Sequence, residues 1–387
     1  MSAAALHGAP SPTTYSGTGS VNLARVEEEL AGLWRQAGEL AGASGQAVTR
    51  ACLWNLVECQ SLAAGKGEAV SPAGSAAAVD EACAIVPSRM IRLRAQPADQ
   101  APRAGQEVEA WVSTRCNLSP GGGHQICTEE IQVVGYGEPS LAHFPALVRA
   151  LLVPDLPVAL VWLAEPPRKG RLLRDLLRMS NRILIDTQPG GDEGALPRVN
   201  ELVRDTHAYF VDLGWMRLTP VRYLVASLFD APGRAEQLRK IEAIRLEVTP
   251  NGRNTGFLML GWLLTRLGRL EPKAEDAGSG TRSYRWKAKL HARSIPIEMA
   301  VHEGEGGRDG LLSLEVAAGG DTFRMRQVDA EHIALDGPDH GGQTLALHGW
   351  NDAELMVAGL GGPGIDALYP EALAMAANLI QAEAWNR

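Results

Sequence analysis

The chain has 387 residues, of which 45% are hydrophobic and 21% charged, with a formal net charge of −8. This length accommodates two domains of roughly 150 residues or more each. The negative net charge disfavours nonspecific nucleic-acid binding, which needs Lys and Arg side chains to neutralise phosphates. No apolar run approaches the roughly 18 residues of a membrane-spanning helix, and the first residues lack the pattern of an export signal. We therefore expect a cytoplasmic protein that binds neither nucleic acid nor membrane.

The cysteines all lie in the first third of the chain: Cys52, Cys59, Cys83, Cys116 and Cys127. Their odd number does not indicate a disulfide scaffold, so we expect reduced thiols that are buried or incidental. Cys116, His124 and Cys127 could also hold a metal ion across a hairpin. Three ligands without a Cys-x-x-Cys pair make the structural interpretation the better one.

The N-terminal half is predicted to alternate between helices and strands. Residues 1–20 are rich in Ala, Ser, Thr, Gly and Pro and predict a disordered tail. A helix over 22–40 follows, with Asn22 as its N-cap. Further strands are predicted at 50–58, 90–93, 107–116 and 125–134, the last two joined by a hairpin loop at 119–123.

The best-defined stretch is 141–163. Apolar residues at three- and four-residue spacing predict a helix that Pro154 ends. Residues 158–163 are continuously apolar, which is typical of a strand buried on both faces. Asp155 lies in the turn between them, where its carboxylate could cap backbone N–H groups or contact a ligand.

Alternation continues with a helix at 171–179, a strand at 183–185 and a helix at 196–209, which together favour a parallel sheet with right-handed crossovers. We place a domain boundary near 210, so that 21–210 form an N-terminal α/β domain and 211–387 a C-terminal α+β domain.

The C-terminal domain is predicted to begin with a helix whose N-cap is Thr219 and whose first residue is Pro220. A strand at 241–248, an apolar core helix at 257–267, short antiparallel strands over 282–347 and a closing helix at 370–385 follow. The fold class is thus α/β, with a largely parallel first sheet flanked by helices and a second domain rich in antiparallel strands.

One candidate site is the turn of Gly135, Gly137 and Ser140 between a strand and a helix, the context of a dinucleotide fingerprint. Ser140 replaces the third glycine, and Glu138 places negative charge where a pyrophosphate would lie. A capped turn is therefore the simpler interpretation of this segment.

Charged residues provide the remaining candidates for partner or effector binding: Arg171, Arg174, Arg178, Asp186, Arg217 and Arg222. The first three share one helix face, supported by the nearby Arg168, Lys169 and Arg182. This basic face is either solvated or a docking surface for an acidic partner or a phosphate. Asp186 follows a parallel strand, where open α/β sheets bind ligands, but it could equally cap the turn. Arg217 and Arg222 could bind a carboxylate or phosphate or form internal salt bridges. No catalytic constellation and no cofactor motif stand out.

Six segments resemble the OpcA family, the glucose-6-phosphate dehydrogenase assembly proteins of bacteria. They are WNLV at 54–57, PSRMI at 87–91, CTEEI at 127–131, LLVPDLPVALVW at 151–162, DLGWMRLTP at 212–220 and the helix of 254–267 that contains GWL. Val221 departs from the family pattern, where we expect Trp, and no motif aligns from 271 onward. Five positions within these segments are expected to be structural: Arg89, Glu129, Asp155, Trp162 and Trp215.

The resemblance implies a protein that is not an enzyme. It implies an allosteric activator or assembly factor that binds glucose-6-phosphate dehydrogenase and favours its active oligomer, with no cofactor. The alternative is a nucleotide- or sugar-phosphate-binding α/β protein, possibly an enzyme, which would use the Gly135 turn, Asp186 and the basic helix.

Overall fold

The computed structural model describes residues 13–17, 21–43, 47–61, 75–103, 107–118, 124–163, 170–188, 194–268, 271–275, 283–291, 293–303, 310–339, 341–347, 349–362 and 366–384. The chain divides into two compact units. The first comprises 1–185, 207–210 and 352–362, and the second comprises 186–206, 211–351 and 363–387. The prediction had a single boundary after residue 210.

The described strands form two sheets. Those of the first sheet are Thr13–Ser16 (β1), Ala47–Arg50 (β2), Trp54–Ser61 (β3), Ser88–Gln96 (β4), Val108–Leu118 (β5), His124–Tyr136 (β6), Val158–Trp162 (β7), Arg182–Ile185 (β8) and Tyr209–Asp212 (β9). Those of the second are Ile241–Val248 (β10), Lys273–Glu275 (β11), Ser283–Leu290 (β12), Arg293–Val301 (β13), Leu311–Ala318 (β14), Asp321–Gln327 (β15), His332–Asp336 (β16) and Gln343–Ala346 (β17).

The described α-helices are Val26–Ala43 (α1), Ser75–Ile85 (α2), Glu138–Leu141 (α3), Phe144–Leu151 (α4), Arg171–Met179 (α5), Ala195–Asp205 (α6), Leu213–Arg217 (α7), Thr219–Ser227 (α8), Arg253–Arg266 (α9), Asp352–Gly361 (α10) and Leu368–Ala384 (α11).

The first sheet has the strand order β1-β5-β6-β4-β3-β7-β8-β9, with β2 also paired to β6. The pairs β3–β4, β3–β7, β4–β6, β7–β8 and β2–β6 are parallel, whereas the hairpin β5–β6 and the edge pair β1–β5 are antiparallel. The predicted α/β class with a largely parallel first sheet is confirmed. The continuous burial of Val158–Val161 in β7 follows from its position between two neighbouring strands.

Helices cover both faces of this sheet. On one face, Trp34 of α1 donates to Glu129 of β6, and Arg89 of β4 donates to the carbonyl of Leu151 at the end of α4. On the other face, Asp80 of α2 pairs with Arg92 of β4. Asn22 caps the first helix as predicted, since its Oδ1 accepts from the N–H of Ala24 at 2.9 Å.

The second sheet has the order β11-β12-β13-β10-β14-β15-β16-β17, in which only the described pair β10–β13 is parallel. The antiparallel character predicted for this region is confirmed. Helices α9 and α11 bury one face: Phe257 of α9 packs edge-on against Trp286 of β12, whose Nε1 donates to the carbonyl of Leu379 of α11. The opposite face is charged, with ion pairs such as Arg245–Glu315 across neighbouring strands.

Three expectations about local structure are wrong, and one of the two alternatives left open for Asp155, the capping contact, is not formed among the described residues. Thr13–Ser16 of the predicted tail form β1, paired with β5, while 1–12 and 18–20 lie outside the described residues. The helix predicted over 196–209 ends at Asp205, because Tyr209–Asp212 continue as a strand. Thr219 is the first residue of α8 rather than its cap. Asp155 is exposed and makes no hydrogen bond among the described residues.

The expectation of reduced cysteines is wrong for one pair. Cys116 and Cys127 stand directly opposite each other on β5 and β6, with Cα atoms 4.0 Å apart, and form a disulfide. They pack with Ala37 of α1 in a small buried cluster. Sulfurs joined in this bond are not free thiolates, so the alternative of a metal held by Cys116, His124 and Cys127 is lost. Cys59 and Cys83 are buried free thiols.

Candidate functional site

Helix α5 presents a basic face to solvent. Leu173, Leu176 and Leu177 point into the first unit, which leaves Arg171, Arg174 and Arg178 on the outer surface. The side chains of Arg171 and Arg178 are 91% and 73% exposed. Asp175 is the acidic residue of the helix, and its carboxylate oxygens lie 3.6 Å from Arg171 and 3.8 Å from Arg178. Such long, exposed contacts hold the guanidinium groups weakly, so they can meet an external carboxylate.

Arg182 does not join this face, although the sequence places it close by. Its guanidinium lies over the rings of Trp54 and Tyr209, 5.2 Å from each centroid. It donates to the carbonyl oxygens of Leu360, at 2.6 Å, and Gly359. Burial lowers the pKa of this guanidinium. Arg182 therefore holds elements of the first unit together. Arg168 and Lys169, the other basic residues near α5, lie outside the described residues.

Asp186 and Arg217 bind each other. Arg217 donates from Nη1 to Oδ1 of Asp186 at 2.9 Å and from Nη2 to Oδ2 at 2.8 Å. Both side chains are about nine-tenths buried. The N–H of Gln188 donates to Oδ1 of Asp186 at 3.1 Å, which is the capping contact weighed from the sequence. A bidentate, buried pair is already satisfied, so an external anion would have to displace Asp186 to reach Arg217.

Arg222 is held by stacking. Its guanidinium carbon lies 3.5 Å from the ring centroid of Trp215, and its Nη2 donates to Oγ1 of Thr219 at 2.9 Å. Nε1 of Trp215 donates to Asp366 at 2.6 Å, which fixes the indole beneath the arginine. Burial lowers the pKa of Arg222 to about 10, and the Asp366 carboxylate acts in the opposite direction. These internal contacts of Trp215 support the structural role expected for it from the family motif.

Asp212 is a buried acid that sequence reasoning did not single out as a site. Its Oδ1 accepts from the backbone N–H groups of Thr187, at 3.1 Å, and Gly214, at 3.0 Å. Its Oδ2 accepts from Oγ1 of Thr187 at 2.7 Å and from the hydroxyl of Tyr369 at 3.0 Å. Burial, together with the nearby carboxylate of Asp186, raises the pKa of Asp212 to about 6. An acid just before a helical segment is an N-cap signal that could have found it.

Arg89 and Glu129 form a buried pair that joins several elements of the first unit. Arg89 Nε donates to Glu129 at 2.7 Å, and its other nitrogens bind Glu27 of α1 and the carbonyl of Leu151. Glu129 also accepts from Nε1 of Trp34 at 2.7 Å and pairs with Arg50. Each charge is compensated, as burial of charges requires. The geometry supports the structural role expected for both residues.

A second charged cluster lies on the other face of the same strands and has no counterpart in the sequence-based candidates. Arg92 pairs with Glu58 and Glu130 at 2.6 Å each, and with Asp80. Arg115 pairs with Asp80 at 2.9 Å and with Glu130 at 3.4 Å. A signal was present in the sequence: Arg92 lies between Ile91 and Leu93 in the predicted strand 90–93, and a charge among apolar neighbours needs partners.

Asn55 holds the turn at 153–157 in place of Asp155. Its Oδ1 accepts from the N–H of Val153 at 2.8 Å, and its Nδ2 donates to the carbonyls of Val153 at 2.9 Å and Leu156 at 3.3 Å. Asp155 instead supplies a left-handed backbone with φ of 62°, which Asp tolerates better than most residues. Trp162 is half-buried at the end of β7, less enclosed than expected.

The turn at Gly135 uses its polar groups in hydrogen bonds within the protein. Oγ of Ser140 donates to the carbonyl of Gly137 at 2.6 Å, and the N–H groups of Gly137 and Ser140 bind the carbonyls of Gln96 and Gly137. A Cβ on Gly135 would lie 2.4 Å from Oγ of Ser140. The N–H groups that would hold a pyrophosphate are thus occupied, in agreement with the capped-turn interpretation.

Among the described residues, no group of three or more His, Cys, Asp or Glu side chains is placed to hold a metal ion. No described helix is long and apolar enough to cross a membrane.

The fold and these clusters define a class of protein: an α/β unit and an α+β unit whose buried charged groups are engaged by internal contacts, with an exposed basic face on one helix. Residues 79–201 match the family model described as "Glucose-6-phosphate dehydrogenase subunit N-terminal domain". Residues 208–373 match the model of the corresponding C-terminal domain. The chain therefore belongs to the OpcA family of glucose-6-phosphate dehydrogenase assembly proteins.

Curated relatives agree with this family. The chain is 30% identical over 198 residues to a "Putative OxPP cycle protein OpcA" of Nostoc punctiforme, a match that spans 50% of this chain and 41% of that protein. It is 29% identical over 192 residues to the protein of the same name from Synechocystis, spanning 49% of this chain and 38% of that one. The matched region thus spans about two fifths of the length of these relatives.

Solved structures show a weaker likeness. A 3-ketoreductase from Actinomadura kijaniata, KijD10, has 13% identity and a TM-score of 0.46, over 85% of this chain and 96% of its own. An oxidoreductase from Thermotoga maritima has 10% identity and a TM-score of 0.47, over 86% and 95%. Similarity at this level carries no conclusion about activity.

Proposed function

We propose that this protein binds glucose-6-phosphate dehydrogenase in the cytoplasm, favours the active oligomer of that enzyme and performs no catalysis itself. The observation that carries the proposal is the ordered match of 79–201 and 208–373 to the two domains of the family. The names of the relatives, which refer to the OxPP cycle, support a role in the same metabolism.

An activator of this kind must discriminate between states of its partner. A ligand that binds active and inactive enzyme equally well shifts no equilibrium, however tightly it binds. The protein therefore contacts a surface of the dehydrogenase that differs between the free subunit and the active oligomer. Its effect should be largest where the active oligomer is least populated.

The basic face of α5 is the docking surface we propose for this partner. Arg171, Arg174 and Arg178 project from a helix whose apolar side is fixed in the first unit, so their positions are preorganised. The proposed partner surface is acidic. Asp186, Arg217 and Arg222 contribute less under this proposal, because the described structure already engages their charged groups.

The first test is functional. Dehydrogenase activity is measured over a titration of glucose 6-phosphate with and without this protein, and the two proteins are passed together over a size-exclusion column. We expect higher activity at low substrate together with co-elution in a larger species. Unchanged kinetics combined with separate elution would overturn the proposal, as would substrate conversion by this protein alone.

The second test concerns the surface. Reversing Arg171, Arg174 and Arg178 to Glu should weaken dehydrogenase binding by roughly tenfold or more, because attraction becomes repulsion at the contact. The matched control reverses three exposed arginines elsewhere, Arg149, Arg204 and Arg239, and so changes the net charge equally. We expect the control to lose far less affinity in calorimetry. Equal losses in both variants would assign the effect to net charge and remove α5 from the interface.

A further inference from the structure

An open cleft lies on the first sheet, over β1, β5, β6 and β4, on the face that also carries Arg92 and Glu130. Its volume is about 460 Å³, within the range of sites that hold small molecules. All of its walls belong to the first unit. Six of the lining side chains carry its chemistry: Arg94, Gln96, Trp111, Ser113, Gln132 and Tyr136.

Several polar side chains in this cleft have no hydrogen-bond partner among the described residues. Gln96, Trp111, Ser113 and Gln132 are half-buried, and no hydrogen bond of their side chains occurs in the described chain. Trp111 and Gln132 stand directly opposite each other on β5 and β6. Half-buried amides and hydroxyls without a protein partner bind water, which a ligand with matching groups can displace. These four offer donors and acceptors to the same space, which suits a ligand bearing several hydroxyl groups.

Arg94 and Glu130 are the charged residues among those that line the cleft, and Arg94 carries its positive charge. Its Nη2 donates to Oε1 of Gln60 at 2.8 Å, a neutral partner, and no described carboxylate lies within salt-bridge distance. The acids on the same side are already engaged: Glu130 binds Arg92 and Arg115, and Glu109 accepts from the hydroxyl of Tyr136 at 2.7 Å. Arg94 is thus able to bind an anionic group, for which its planar fork of donors is well suited.

Trp111 provides a flat apolar wall beside these polar groups. Its indole is half-buried on the cleft side of β5. Aromatic faces of this kind pack against apolar surface while their edges meet polar groups. An arginine, two amides and an indole around one space therefore describe a ligand with a single anionic group on a chain or ring of hydroxyls.

We propose that this cleft binds a small polyhydroxylated anion, a sugar phosphate or a sugar acid, with Arg94 on its anionic group, Gln96 and Gln132 on its hydroxyls and Trp111 against its carbon skeleton. The site is separate from the closed Gly135 turn and from the basic face of α5. It holds whether or not the protein binds the dehydrogenase.

Calorimetric titration of the full chain with four probes tests the site. Glucose 6-phosphate and gluconate carry both an anionic group and hydroxyls, whereas glucose and inorganic phosphate carry only one of these features. We expect at least one of the first two to bind roughly tenfold more tightly than either of the others. The stronger of the two identifies phosphate or carboxylate as the preferred anion.

Two variants locate the binding. Arg94→Gln should lower the affinity by roughly tenfold because it removes the charge-assisted bonds, while Arg149→Gln, an exposed arginine on α4, should leave it within about twofold. Gln132→Ala provides a second loss-of-binding variant should Arg94→Gln fail to fold. No binding of any probe, equal binding of glucose or phosphate alone, or unchanged affinity in the cleft variants would overturn the proposal.

Discussion

Asp212 shows how a single residue ties stability to pH. It is enclosed by Thr187, Gly214 and Tyr369, and burial raises its pKa from 3.8 to about 6. A carboxyl with a higher pKa in the folded state binds more protons when folded. The unfolding free energy therefore falls as pH rises from 3.8 to 6, by about 3 kcal/mol in total, and is flat above that window.

Asp212→Asn should remove this pH dependence. The amide keeps an acceptor for the two backbone N–H groups and can donate to Thr187 Oγ1 and the Tyr369 hydroxyl. As pH rises from 4 to 7, the free energy of unfolding of the variant should increase relative to that of the wild type by about 2–3 kcal/mol. Urea unfolding across this range measures the gain. The control is Asp230→Asn, an exposed acid; a parallel pH dependence in wild type and Asp212→Asn would contradict the expectation.

Asn55 is the second residue whose role depends on contacts far along the chain. Asn55 is fully buried, and Asn55→Ala leaves the N–H of Val153 and the carbonyls of Val153 and Leu156, two half-buried residues, without their partner. We expect a loss of about 3 kcal/mol in the free energy of unfolding, since unsatisfied buried groups retain their desolvation cost.

Asn117→Ala is the matched control for Asn55. Asn117 is half-buried on β5 and its side chain has no hydrogen bond in the described chain. Its removal should change stability by less than about 0.5 kcal/mol. If thermal unfolding showed similar losses of stability in the two variants, the hydrogen bonds of Asn55 to the turn at 153–157 would contribute nothing specific.

These residues also mark the limit of what the sequence can predict. The WNLV segment was correctly placed in a strand, yet the side chain of Asn55 meets a turn 98 residues away. Within the turn, the sequence favours Asp155 as the capping residue because it is the nearest polar group. Local patterns assign the backbone, but the partner of a buried polar group depends on which elements pack together.

At the scale of elements, helices and strands were predicted correctly where an apolar pattern was long and had turn residues such as proline at its ends. Val158–Trp162 is a strand because an apolar run between prolines cannot be a long helix. Arg253–Arg266 is buried nearly all round, as its apolar composition indicates. The end of α6 was misplaced because apolar residues continue past Asp205 into β9, and periodicity alone does not show where a helix gives way to a strand.

Helices α9 and α11 pack closely at Gly261. A Cβ at this position would lie 2.2 Å from the carbonyl oxygen of Ala372. Gly261→Ala should therefore push the helices apart and lower the free energy of unfolding by about 2–3 kcal/mol, more than the gain in helix propensity can offset. Urea unfolding of the variant measures this loss.

Gly38→Ala is the control for Gly261, with the opposite expected sign. Gly38 lies on the exposed side of α1, and a Cβ there would meet no atom within 4 Å. Alanine should stabilise the helix by about 0.5–1 kcal/mol. If both variants were more stable than the wild type, the close packing of α9 against α11 at Gly261 would be contradicted.

The hairpin of β5 and β6 shows why counting cysteines was insufficient. An odd number of thiols argues against a disulfide framework, and this argument ignores register. Once the strands align Cys116 with Cys127, a bond between that one pair becomes possible regardless of the other three. Register depends on the whole sheet and could not be deduced from spacing.

At the scale of the whole molecule, composition and alternation were enough for the class of fold, and the ordered motifs were enough for the family. These sequence features could not show which charged side chains are exposed and which are bound by other residues of the protein. Arg171 and Arg217 looked equally available in the sequence, yet one is exposed on a helix and the other is locked to a buried carboxylate. The proposed function thus comes from family membership, and the structure narrows the surface that could serve it.

The return of the chain into the first unit has a consequence for its biosynthesis. Helix α10 packs against α2, and its carbonyl end receives Arg182 of β8. Because a nascent polypeptide leaves the ribosome from its N-terminus, α2 and β8 emerge long before the helix that covers them. The first unit can therefore be completed only after residue 362 has been translated, so the contacts of α10 with α2 and β8 form late in synthesis.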